Sequence, residues 1–186
     1  MGKTTKMRIM VCFILVLFFI SCSGSDNSPK NSNTSGDTTI DPYEIEPSSI
    51  QTFSSVPGGD VICTEEDKPV IRLYSTTWCP HCQWIGSTYD SVVKMYVDQG
   101  LIVAHHWEVD TGDDTLTDQV EEGVPDSETA IFDDINPQGS IPTFVFGCKY
   151  YRIGNGYEQE EDLESEAAEF EAVIEALIDE LLLPIS

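Results

Sequence analysis

The sequence predicts an α/β domain in which a mixed central sheet is flanked by helices. Two observations predict it. Between about residues 70 and 109 a strand-like run, a stretch of helical periodicity and a second strand-like run follow one another, which implies a right-handed parallel crossover. Two short strand-like runs, 143–146 and 150–153, then lie close enough to pair as an antiparallel hairpin.

The elements follow in order. Asp60 to Cys63 is a short strand candidate. Val70-Ile71-Arg72-Leu73-Tyr74 is a clearer strand, bounded by Lys68-Pro69 and by Ser75-Thr76-Thr77. Ile85, Tyr89, Val92, Val93 and Tyr96 fall at helical spacing, and Gly100 closes that helix. Leu101 to Val109 is the next strand, and residues 111–125 form an acidic loop. Asp126 or Ser127 is suited to cap a short helix containing Ala130, Ile131 and Ile135, ended by Asn136-Pro137-Gln138-Gly139. The hairpin of Thr143–Phe146 and Tyr150–Ile153 comes next. Leu163, Phe170, Ile174, Leu177, Ile178 and Leu181 mark a long amphipathic helix with an acidic outer face. The order is β-β-α-β-α-β-β-α.

This domain, residues 50–186, follows two segments of another kind. Lys3, Lys6 and Arg8 form a basic head, and Ile9 to Ile20 is an unbroken apolar run of 12 residues. A bilayer span needs about 20, so residues 1–22 read as a signal peptide. Phe19-Ile20-Ser21-Cys22 resembles a lipoprotein processing box, with Phe19 where Leu is usual. The resemblance makes Cys22 the lipidated new N-terminus and removes Cys12. Residues 23–49, rich in Ser, Asn, Thr, Asp and Pro, read as a disordered tether. The expected location is the extracytoplasmic side of the cell envelope, on a lipid anchor. Asn33-Thr34-Ser35 has the form of a glycosylation acceptor.

After Cys22 there are 33 acidic residues and 6 basic ones, a charge near −27. That excludes nucleic acid as a partner, since nothing would neutralise phosphates. It also favours a covalent anchor over electrostatic adhesion to an anionic membrane.

Cys79 and Cys82 stand where a strand ends and a helix begins. There Cys79 occupies the helix N-cap, beside free backbone N–H groups and the positive end of the dipole, both of which favour a thiolate. Two intervening residues let Cys82 return to disulfide distance. Pro80 falls in the first turn, where its missing N–H costs nothing. Trp78 shields one side of the pair.

Trp78-Cys79-Pro80-His81-Cys82 after one strand and Gly139-Ser140-Ile141-Pro142-Thr143-Phe144 before another resemble the two signatures of the thioredoxin superfamily. The resemblance covers roughly residues 60–183. It implies a thioredoxin-like fold and thiol–disulfide exchange by Cys79 and Cys82, with no cofactor beyond their redox-active disulfide. It implies that Pro142 is cis and lies against the disulfide, and that Ile141 offers its backbone to an incoming peptide. The Pro80-His81 spacer resembles that of strongly oxidising family members, in which a histidine stabilises the thiolate further and makes the disulfide a stronger oxidant. The body resembles plain thioredoxin, because only 18 residues separate Cys82 from Leu101 and leave no room for an inserted domain. Oxidase, isomerase and reductase all stay open. Family members often carry a buried acid six residues before the first cysteine; here that position is Leu73, and His105 or His106 on the neighbouring strand is the preferred substitute.

Four cysteines remain beyond Cys22, and four allow three pairings. With Cys79–Cys82 as the active pair, Cys63 and Cys148 are left. The layout that the resemblance implies brings them together at the sheet end away from the motif, as a structural disulfide; two separate thiols is the alternative. Asp110, Asp114, Asp118 and Glu121 have the spacing of a calcium loop but lack its central glycine, so the loop reads as a solvated surface, as do the glutamates of the last helix. Trp84 is expected at the active-site rim.

The expected function is thiol–disulfide exchange by a monomer with exported proteins, a small thiol or a redox partner protein. No nicotinamide or flavin motif is present. The rival reading is a zinc or copper(I) protein using Cys79, Cys82 and a nearby histidine. Against it, no second CxxC completes a four-ligand site, and no resident metal is expected.

Overall fold

The computed structural model describes residues 50–183. The expected signal segment, Cys12, Cys22, Asn33 and the tether lie outside them. The elements are β1 (Ser54–Ser55), β2 (Thr64–Glu65), β3 (Lys68–Ser75), α1 (Pro80–Asp98), β4 (Val103–Glu108), β5 (Asp113–Asp114), α2 (Asp126–Ile135), β6 (Thr143–Phe146), β7 (Tyr150–Ile153) and α3 (Leu163–Leu182). The sheet runs in the order β1-β7-β6-β3-β4-β5, with β2 hairpinned onto the start of β3. The β3–β4 pair is parallel, as a strand–helix–strand crossover requires, and β6 and β7 run antiparallel to their neighbours. The protein is therefore α/β, with a mixed sheet and helices on both faces.

Strand β3 is central because its residues bury on both faces: Val70, Ile71, Leu73 and Tyr74 are at most 2% exposed. One face of the sheet, with Ile71, Leu73, Phe144 and Phe146, packs against Ile85, Tyr89 and Val93 of α1 and Phe170, Ile174 and Leu177 of α3. The other face, with Tyr74, Trp107 and Val145, is covered by Ile131, Phe132 and Ile135 of α2. Trp84 packs half-buried against the first of these cores.

Asp60–Cys63 is not a strand. The chain bends at Val61 and has no ladder; Cys63 makes single backbone bonds, its N–H to the Gly147 carbonyl and its carbonyl from the Val70 N–H. The hairpin falls just after it, because Glu66 and Asp67 both take left-handed backbone (φ 51° and 61°). A turn of that kind is usually marked by glycine or asparagine. Strand β4 is shorter at both ends than 101–109. Helix α2 has Pro125 as its N-cap residue, whose carbonyl accepts from Glu128 and Thr129, so Asp126 and Ser127 sit inside the first turn and cap nothing. The 111–125 loop contributes β5 to the sheet edge.

The largest departures are buried charges. Glu166 and Glu169, expected on a wet helix face, are 0% and 2% exposed. Both meet Arg152 of β7, which donates from Nη2 to Glu166 at 2.5 Å and from Nη1 to Glu169 at 3.4 Å. The Arg152 guanidinium lies 4.6–5.1 Å from the centres of the Phe53, Phe144 and Phe170 rings. Glu169 also accepts from the backbone N–H groups of Gln51 and Thr52, fastening the start of the domain to α3. On the opposite face Arg72 grips Glu128 with two bonds of 2.7 and 3.0 Å, and Tyr74 donates to the same carboxylate.

At the sheet end away from the Cys79 motif, Cys63 and Cys148 form a disulfide with Cα atoms 5.3 Å apart. Cys148 sits in the β6–β7 turn with φ 53°, preceded by Gly147 at φ 62°. A Cβ on Gly147 would lie 2.6 Å from a Leu177 methyl, so the turn packs onto α3 only with glycine there. The bridge closes a loop across 85 positions. Replacing both cysteines by Ser is expected to lower the unfolding free energy by about 4 kcal/mol, chiefly by freeing the unfolded chain. Urea denaturation of the variant checks this, and a loss under about 1 kcal/mol would contradict it.

Candidate active site

The site is built where β3 gives way to α1. Cys79 is the N-cap residue, in extended conformation (φ −79°, ψ 116°), and its carbonyl accepts the first helical bond from Gln83. Its sulfur accepts the Cys82 backbone N–H at 3.3 Å, one of the donors that a helix start leaves free. Pro80 begins the helix, which costs no hydrogen bond. Both thiols are free and nearly enclosed, at 4% and 3% exposure. Burial pushes the Cys82 thiol up to about 12, reinforced by its contact with Cys79 and only partly offset by a backbone hydrogen bond from Thr76. Two buried thiols one helical turn apart, the first at a helix N-terminus, are suited to opening and closing a disulfide.

The loop before α1 is held from outside. Asp110 accepts the Thr77 N–H at 3.1 Å and the Thr77 hydroxyl at 2.5 Å, bonds that keep its carboxyl below the usual range. Gln83 donates back to the Thr77 carbonyl at 2.6 Å. Trp78 is left 68% exposed beside Cys79, an open apolar face rather than a shield.

Opposite the thiols lies the turn into β6. The Ile141–Pro142 peptide is cis, and the Ile141 carbonyl lies 3.9 Å from the Cys79 sulfur. Asn136 pins this turn. Only 2% exposed, it donates to the Ser140 carbonyl at 2.6 Å and to the Thr143 hydroxyl at 2.9 Å, and that hydroxyl donates to Ser140 as well. In the sequence Asn136 reads only as a helix terminator; its second task depends on a partner seven positions away.

His81 does not stand alone. Its Nδ1 lies 2.8 and 2.9 Å from the two carboxylate oxygens of Glu158, and Asn155 donates both to the His81 carbonyl and to Glu158. Burial raises the Glu158 carboxyl, but the bonds from His81 and Asn155 outweigh it and hold the group below the ordinary range. No local signal joins residues 77 positions apart, so Glu158 was invisible in the sequence.

The two strand histidines part company, because successive side chains of a strand point to opposite faces. His106, in register with Leu73, lies on the α1 side of β4. It lines a cleft of about 370 Å³ together with Cys82, Ser75, Thr76, Asp90 and Glu108. His105 turns the other way, stacks on Trp107 and bonds Asp114 through Nδ1 at 2.6 Å. Burial drives His105 toward neutrality, but the bond and charge of Asp114 prevail and raise it. Asp114, expected in a solvated loop, is 1% exposed and also accepts the backbone N–H groups of His106 and Leu116.

Among the described residues no three His, Cys, Asp or Glu side chains converge on a point suited to a metal ion. Among them, too, no helix is long and apolar enough to cross a membrane. Compared with protein-family models, with curated proteins and with solved structures, the chain finds no match in any of the three.

Proposed function

We propose that this α/β domain is a two-cysteine redox protein, a thiol–disulfide oxidoreductase acting through Cys79 and Cys82. More particularly, it is a thioredoxin-like enzyme exported to the cell envelope and held there by a lipid on Cys22. One observation carries the reading: the Cys79 sulfur caps α1, takes the Cys82 N–H at 3.3 Å and faces the Ile141 carbonyl ahead of cis Pro142. The thiolate is the form that attacks, and the cap sets this sulfur among the N–H groups that a helix start leaves free.

In the reducing direction the Cys79 thiolate attacks one sulfur of a substrate disulfide, and the other leaves as a thiolate that takes a proton. Cys82 then loses its proton and attacks Cys79. The Cys79–Cys82 bond forms, the mixed disulfide breaks, and two electrons have passed to the substrate. The oxidising direction is the reverse. Substrate peptide lies along the Ile141 backbone with Trp78 as an apolar contact, and electrons are exchanged with a small thiol or a partner protein. The acidic surface argues against nucleic acid, and the protein acts as a monomer. The zinc or copper(I) alternative gains no support from the site, where His81 is engaged by Glu158.

The test is the reduction potential of the pair, by equilibration with glutathione or dithiothreitol. A disulfide donor lies near about −120 mV and a reductant near about −270 mV. Because Glu158 offsets the charge His81 would add, a value nearer the second is expected. Failure of the pair to cycle in any buffer would overturn the proposal.

A further inference from the structure

The cleft beside Cys82 holds an ordered set of side chains that the exchange reaction itself does not name. The geometry points to Asp90, His106 and Ser75 as a proton relay for Cys82, with His106 as the base that accepts the Cys82 proton. This rests on the oxidoreductase reading and deepens it.

Cys82 is 3% exposed and carries a thiol that burial holds in its protonated form, so its attack on Cys79 requires somewhere for a proton to go. The titratable groups that share its cleft are Asp90, His106 and Glu108, beside hydroxyls that include those of Ser75 and Thr76. His106 is 6% exposed, and both ring nitrogens are committed. Nδ1 lies 2.7 Å from the Asp90 carboxylate, and Nε2 lies 2.9 Å from the Ser75 hydroxyl. A carboxylate only accepts, so Nδ1 bears the proton. Nε2 is then a lone pair that accepts from Ser75. Asp90 orients the ring and balances the imidazolium formed when Nε2 is protonated.

Two further neighbours of the ring are committed elsewhere. From His106, Asp114 takes the backbone N–H at 2.9 Å and not the ring. The Tyr89 ring stands edge-on to the imidazole at 5.7 Å, and its hydroxyl is spent on the Ile71 and His105 carbonyls. The buried Thr76 hydroxyl has no partner among the described residues and lines the same cleft, so the path from Cys82 is polar enough for a bridging water. Asp, His and Ser in this order also activate serine nucleophiles. Here Ser75 is 2% exposed, and the group in the cleft that must lose a proton is the thiol.

With substrate joined to Cys79, the Cys82 proton passes through the Ser75 hydroxyl or a water to His106 Nε2. The Cys82 thiolate attacks the Cys79 sulfur, the Cys79–Cys82 bond forms, and the bond from Cys79 to substrate breaks. The substrate sulfur departs with the electron pair and takes the proton back.

The experiment is stopped-flow reaction of the reduced protein with 5,5′-dithiobis(2-nitrobenzoate) from pH 5 to 9. Attack by Cys79 releases one chromophore, and resolution by Cys82 releases a second. His106→Gln is expected to slow the second release about 100-fold or more at pH 7 and to remove the pH dependence that His106 gives it, leaving the first release unslowed. His105→Gln, on the other face, is expected to change neither. A second release of ordinary rate and pH profile in His106→Gln would overturn the relay. Should that variant not fold, Asp90→Asn carries the test, since the Asp90 side chain is 36% exposed. Its inflection is expected at lower pH, and an unmoved one overturns the relay. Labelling of Ser75 by an organophosphonate would also overturn it, assigning the trio to acyl transfer. Failure of the oxidoreductase reading looks different: the unaltered protein itself then releases no second chromophore.

Discussion

Replacing Cys82 by Ser is expected to stop turnover while leaving the first attack intact, so that substrate accumulates as a mixed disulfide on Cys79. The two thiols are not equivalent. Cys79 caps α1 and has the Cys82 N–H aimed at its sulfur, whereas Cys82 is enclosed and its thiol is pushed up to about 12. A serine hydroxyl fits the same space but cannot displace a sulfur, so the cycle halts after one covalent step. Turnover with insulin as substrate is expected to fall roughly 1,000-fold or more. Intact-protein mass spectrometry is expected to show one adduct, lost in Cys79→Ser. Unchanged turnover in Cys82→Ser would remove the pair from the chemistry altogether.

Arg152→Ala is expected to destabilise the domain by about 5 kcal/mol, at the upper end of what breaking a buried ion pair costs. Glu166 and Glu169 are sealed inside the main core, and Arg152 is the cation that meets both. Removing it strands two carboxylates and vacates the space between the Phe53, Phe144 and Phe170 rings. A loss of that size consumes much of the stability of an ordinary domain. Combining Arg152→Met with Glu166→Gln and Glu169→Gln is expected to recover most of it, because the cost lies in unpaired charge rather than in absent attraction. Urea unfolding of both variants checks the pair of expectations; a loss below about 1 kcal/mol in Arg152→Ala would show that the cluster is hydrated.

Much of the fold was legible because apolar periodicity reports burial directly. The β3–α1–β4 crossover, the β6–β7 hairpin and α3 all follow from it. The Asp60–Cys63 segment differs for a specific reason, since the Glu66-Asp67 turn takes left-handed backbone without a glycine to mark it. The buried acids are hidden in the sequence for a different reason. In a chain with 33 of them, Glu128, Glu166, Glu169 and Asp114 look like all the rest. What separates them is a cation, a histidine or a backbone N–H brought close from a distant segment.

By itself the sequence determined the layer architecture and the position of the two thiols at a strand-to-helix junction, because both depend on local periodicity and on residues three apart. The tertiary structure decided the rest. It set the cis turn pinned by Asn136 against Cys79, gave His81 to Glu158, and chose His106 over His105 as the histidine beside Cys82. Each of those depends on which face a side chain takes and on what chain packing carries to it. Strand alternation and contacts between distant residues set that, and a linear pattern of residue types does not contain it.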